Sequence, residues 1–107
     1  MARIGYVGLI CVMLCNAQVV EWIARYNGSD NMSEDTYAMA VDNAGDIHIA
    51  GFGYRAATYR DALAIKYEGD GDTAWVRYYD GGQAFYDDFL AVAVDDSGNT
   101  YATGRCM

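Results

Sequence analysis

The stretch AMAVDNAGDIHIAG, residues Ala38 to Gly51, returns 53 residues later as AVAVDDSGNTYATG, from Ala91 to Gly104. Each copy reads as two short strands around a tight turn. Asp42 at the first turn position and Gly45 at the fourth fit a type I turn closed by a left-handed residue, and Asp95 and Gly98 keep both features. The same offset aligns Trp22 with Trp75, Tyr26 with Tyr79, Gly28 with Gly81 and Asp35 with Asp88, without a gap. Such a set in register argues for duplication of one structural unit.

Working outward, the strand candidates are Trp22–Tyr26, Tyr37–Val41, Asp46–Gly51, Asp61–Tyr67, Thr73–Tyr79 and the two strands of the second hairpin. The pair Asn27-Gly28 is a strong turn signal. Residues 29–36 and Phe52–Arg60 read as loops, and Glu68–Asp72 as an acidic turn. Alternation is soft, because Ala38 and Ala40 point one way, Met39 and Val41 the other, and both sets are apolar. Burial on both faces follows, with small side chains letting stacked sheets approach closely. The expected fold class is therefore all-β, with antiparallel four-stranded sheets stacked as β-propeller blades.

These residues resemble the bacterial β-propeller repeat family abbreviated SBBP. The resemblance rests on Trp22, Tyr26-Asn27-Gly28, Ala40-Val41-Asp42, Gly45-Asp46, Gly51, Lys66-Tyr67 and Trp75, then on Tyr79, Gly81, Ala93-Val94-Asp95, Gly98-Asn99, Tyr101 and Thr103-Gly104. NHL-type repeats share the central core, and the 53-residue period with the glycine after the second strand favours the former. The resemblance implies one complete blade over residues 18–72, an incomplete second over 73–107, and an exported bacterial protein in which many such blades form a propeller. It implies no reaction. Fewer than two blades leave sheet edges uncovered, so the chain is expected to be a fragment, with assembly of copies or a small open sheet as the alternatives.

The chain has 107 residues, seven basic against fifteen acidic, and a net charge of −8. That charge opposes binding to nucleic acid phosphates and to anionic membranes. Ten Tyr, twelve Gly and no Pro suit a sheet with many turns. Residues 1–17 fit no repeat: Arg3, an uncharged apolar run from Ile4 to Leu14 and Cys15-Asn16-Ala17 read as a cleaved signal peptide. A retained anchor or a structural strand or helix are the alternatives. Secretion or display at the cell surface is the expected localisation. Cleavage would leave Cys106 alone, as a strand-end residue or an interchain disulfide partner.

Candidate chemistry is sparse. Glu68-Gly69-Asp70-Gly71-Asp72 alternates acids as a calcium loop does, but Thr73 and Tyr79 stand where such a loop needs Gly and Glu. Glu34-Asp35 and Asp87-Asp88 recur in the same loop and read either as a cation-binding rim or as solvated pairs satisfying local backbone donors. His48 is the only His, and Tyr101 takes its place in the second copy. No zinc site and no nucleophile with its base can be assembled, so no catalytic residue, metal site or cofactor is expected. The candidate binding residues are Tyr54, Arg55, Tyr59 and Arg60, where aromatics and two Arg gather in an acidic chain.

The expected function is a non-enzymatic exported scaffold presenting loops to a protein or glycan, with further blades or self-association. A fragment of a propeller enzyme acting on extracellular polysaccharide is the alternative. A self-associating structural component is a third.

Overall fold

The computed structural model describes residues 10–13, 20–82 and 85–107, with side chains from Trp22 onward. Among them eight strands run in order: β1 (Ile10–Met13), β2 (Val20–Ala24), β3 (Glu34–Val41), β4 (Ile47–Arg55), β5 (Tyr59–Tyr67), β6 (Thr73–Tyr79), β7 (Asp87–Val94) and β8 (Thr100–Cys106). All neighbouring strands are antiparallel. They form a β1-β2 pair, a four-stranded β3-β4-β5-β6 sheet and a β7-β8 pair.

The all-β expectation holds, but the propeller blades do not. The strand around Trp75 pairs with β5, Lys66 opposite Trp75, and completes the sheet begun at Glu34. What precedes and follows that sheet is a separate two-stranded hairpin on each side, and every sheet is open. The expected blades at 18–72 and 73–107 therefore do not coincide with sheets, since the central sheet runs across residue 73. The repeated residues specify turns and bulges, which are local, and leave sheet closure undetermined. The expected leader at 1–17 lies outside the described residues apart from the backbone of β1.

The hairpin motif is built as its residues require. Gly45 N–H donates to the Asp42 carbonyl at 3.0 Å and Gly98 N–H to that of Asp95 at 3.0 Å. Both glycines have positive φ, 85° and 79°, where a side chain would be strained. Register shifts recur too, at Thr36/Ala38 and at Phe89/Ala91. Opposite each bulge stands the repeated glycine. A Cβ on Gly51 would overlap the Asp35 carbonyl oxygen, and one on Gly104 that of Asp88. Asn27-Gly28 is not the reversal: Asn31 N–H closes a turn on the Gly28 carbonyl at 2.9 Å.

One face of the central sheet carries the core, Ile47, Ile49, Leu63, Ile65 and Tyr67, with Trp22, Ala24 and Tyr26 packed over it. Trp22 also donates its indole N–H to the Gly69 carbonyl at 3.0 Å. On the opposite face β7 packs across β3, β4 and β5, so β4 is buried from Ile47 to Gly53 and β5 from Asp61 to Ile65. The two-faced burial expected of β3 fails. It is an edge strand, and Met39 and Val41 remain 57% and 56% exposed.

Candidate metal centre

At the first residue of β3 and of β7, 53 positions apart, stand Glu34 and Asp87. Each turns its carboxylate back on a glycine amide six residues earlier. Gly28 N–H donates to Glu34 Oε1 at 2.8 Å and Gly81 N–H to Asp87 Oδ2 at 2.7 Å. The residue before the glycine differs: neutral Asn27 in the first copy, Asp80 in the second. Only the second copy also meets Asp61, which β5 carries opposite Gly53 of β4.

The three carboxylates Asp61, Asp80 and Asp87 each offer an oxygen lying within 4.8 Å of the other two. Asp61 and Asp87 are buried, 0% and 2% exposed, whereas Asp80 is open to solvent. Thr58 Oγ1 donates to Asp61 Oδ2 at 2.5 Å, and the Arg55 guanidinium stays 3.9 Å from that oxygen. Oδ1 of Asp61 has no hydrogen-bond partner among the described residues. Buried carboxylate oxygens left unpaired are costly and rare in folded proteins.

The electrostatics divide the two buried acids. Burial pushes the Asp61 carboxyl above the ordinary range, and the Asp80 and Asp87 charges push it further. Asp87 moves the other way, chiefly because Gly81 N–H stabilises its charged form. The Cys106 thiol, a weak donor, and the Met107 N–H add to this by hydrogen-bonding to the same carboxylate. An all-oxygen donor set of this charge suits a hard divalent ion such as Ca²⁺, Mg²⁺ or Mn²⁺, with water completing the shell.

Of the candidate binding residues, Tyr54, Arg55 and Tyr59 come together with Met32 and Ala56 around an open groove of about 330 Å³. They are not on a loop. β4 and β5 continue through this segment, Tyr54 opposite Arg60 and Arg55 opposite Tyr59, because alternating aromatics sustain the pairing. Arg60 is turned away, its Nε donating to Asp88 Oδ1 at 2.6 Å and its guanidinium lying 3.5 Å over the Phe52 ring.

The other acidic candidates separate. Glu68–Asp72 is the hairpin turn expected, closed by Gly71 N–H on the Glu68 carbonyl at 2.9 Å. Glu34, Asp87 and Asp88 are buried rather than solvated, and only Asp35 is exposed. Asp88 lies between Arg60 and Arg105, with Arg105 Nη2 at 2.9 Å from Oδ2.

His48 is fully buried, with Nε2 2.8 Å from Asp42 Oδ2 and Nδ1 2.5 Å from Thr100 Oγ1. The Asp42 carboxyl is held below its ordinary value mainly by that imidazole. In the second copy Tyr101 OH donates to Asp95 Oδ2 at 2.9 Å. The role is thus repeated although the residue is not.

No protein-family model matches the chain, and no curated protein matches it. The resemblance to SBBP repeats is corrected on both grounds, the missing family match and the open sheets. The loop-presenting scaffold and the polysaccharide enzyme both presupposed that architecture and fall with it. Sequence reasoning passed over Asp61 and Asp80. Two signals were present: Asp61 stands immediately before the apolar run Ala62 to Ile65, and Asp80 adds a charge where the first copy has Asn27.

Proposed function

We propose that this chain is a divalent-cation-binding β-sheet protein, in which an ion held by Asp61, Asp80 and Asp87 fastens the β7-β8 hairpin to the central sheet. The carrying observation is the buried Asp61 carboxylate, one oxygen of which lacks a hydrogen bond, inside a three-acid cluster whose second member, Asp87, is buried as well. The ligands come from β5, from the residue after β6 and from the start of β7, so an ion there would bridge two sheets. Its contribution is structural, and no catalytic role is assigned. Export, as expected from residues 1–17, would place the chain where calcium sites of modest affinity are filled.

Calorimetric titration of chelator-treated protein with Ca²⁺, Mg²⁺ and Mn²⁺, alongside thermal melting, tests this. At an ion concentration about 100 times the dissociation constant the fold gains about 2.7 kcal/mol. Asp61→Asn should remove that gain, and should leave the ion-free protein as stable as the parent or more so, because a buried like charge is gone. Absence of binding heat and of a melting shift with all three ions would overturn the assignment.

A further inference from the structure

The outer face of the β7-β8 hairpin is uncovered. Ala91, Ala93, Tyr101 and Thr103 are exposed on it and line a shallow apolar groove of about 210 Å³. Their counterparts 53 residues earlier are Ala38, Ala40, His48 and Ala50. That earlier face is half-buried to fully buried, and it is the hairpin itself that covers it. Val92, Val94, Thr100 and Ala102 form the half-buried inner side of the hairpin, and Thr100 reaches His48.

The covering side has a counterpart as well. Val92 and Val94 correspond to Met39 and Val41, which β3 leaves more than half exposed. β2 shields Ile47 and Ile49 but not these two. The chain therefore forms one interface internally and displays a second copy of the Ala-lined half, together with the Met39 and Val41 edge of the covering half, whose Ile47 and Ile49 β2 already occupies. We infer that molecules of this chain associate head to tail, Met39 and Val41 of one copy packing on Ala91 and Ala93 of the next.

Two features support a second copy as the occupant. Internally β7, with Val92 and Val94 on its inner side, covers the face that carries Ala38 and Ala40, and Ala91 and Ala93 offer Met39 and Val41 the same small positions, with Tyr101 and Thr103 in place of His48 and Ala50. At its rim, Asn43 Nδ2 donates to Asp96 Oδ1 at 3.1 Å, and these positions are themselves 53 residues apart. Between copies the repeat would set Asp96 of one against Asn43 of the next, the same polar pair with its order reversed. Because the two halves are different surfaces, the contact is heterologous and can propagate instead of closing as a symmetric dimer. The charge of −8 opposes it, so added salt should strengthen it.

Sedimentation of the full chain under reducing conditions, with Ala93→Glu and Val41→Glu, tests the inference. The parent should grow in mass with concentration beyond a dimer. Each variant alone should be monomeric, with Thr103→Glu replacing Ala93→Glu should the latter lose its circular dichroism. Mixed one to one, the two variants should restore association that stops at a dimer, since each retains the half the other lacks. A parent that stays monomeric at its highest soluble concentration would overturn the inference, as would a mixture no more associated than its components. Binding of cations and association between copies are separable, because neither variant touches Asp61, Asp80 or Asp87.

Discussion

Asp88 should be the side chain whose loss is felt most. It is buried, and it accepts from Arg60 Nε at 2.6 Å and from Arg105 Nε at 3.0 Å. The two arginines are not equivalent, for the Arg60 side chain is 16% exposed and that of Arg105 53%. Replacing Asp88 with Ala strands a largely desolvated guanidinium between β5 and β7, which costs about 3 kcal/mol. Replacing Arg105 with Ala removes a solvent-screened partner and costs about 0.5 kcal/mol. With a urea slope of about 1.5 kcal/mol per molar, Asp88→Ala lowers the unfolding midpoint by about 2 M, and Arg105→Ala by a few tenths. Arg60→Met combined with Asp88→Ala should recover part of the loss, because no buried charge is then left alone. Equal, small shifts for Asp88→Ala and Arg105→Ala would refute the burial-based ranking.

Gly51→Ala and Gly104→Ala should both destabilise through the carbonyl oxygen that faces them across the bulge, by about 2 kcal/mol at Gly51 in the central sheet and by less at Gly104, whose strand lies in a two-stranded sheet; thermal melts that rank them the other way would contradict this. Acid titration followed by carboxyl NMR should separate two aspartates. Asp95, held at about 2 by Asn99, helps the fold above the ordinary carboxylate range, and that help disappears as pH falls through about 2. Asp61 is raised, so without an ion the fold loses stability as pH rises through its titration. The melting shift caused by Ca²⁺ should accordingly grow with pH across the carboxylate range and vanish in acid. A pH-independent calcium shift would exclude Asp61 as a ligand.

What could be read in the sequence was what neighbours along the chain decide. Asp42 and Gly45 act within a few residues of each other, whereas the bulge that demands glycine at positions 51 and 104 shows only once the strands are paired. The architecture was not legible, because whether the Trp75 strand joins β5 or begins a new sheet depends on long-range pairing that turn residues do not record. The cation site was lost for the same reason. Asp61, Asp80 and Asp87 converge only once β6 lies against β5 and β7 crosses the sheet, and each alone looks like an acid near a turn. Comparing the copies came closest, since Asn27 and Asp80 differ by a charge at an otherwise matched position.

The rings that serve the turn aspartates have a consequence for how the two hairpins are connected. Tyr101 has one polar atom, and Asp95 occupies it. His48 has two at opposite ends of its ring, so it can hold Asp42 within its own hairpin and still grip Thr100 in the other. A tyrosine there is a plug and a histidine is a coupling. Exchanging one for the other at residue 48 would remove one joint between the hairpins and leave Asn43 to Asp96 and the packing of β7 to hold them, so a duplicated unit can lose or gain a joint by a single substitution.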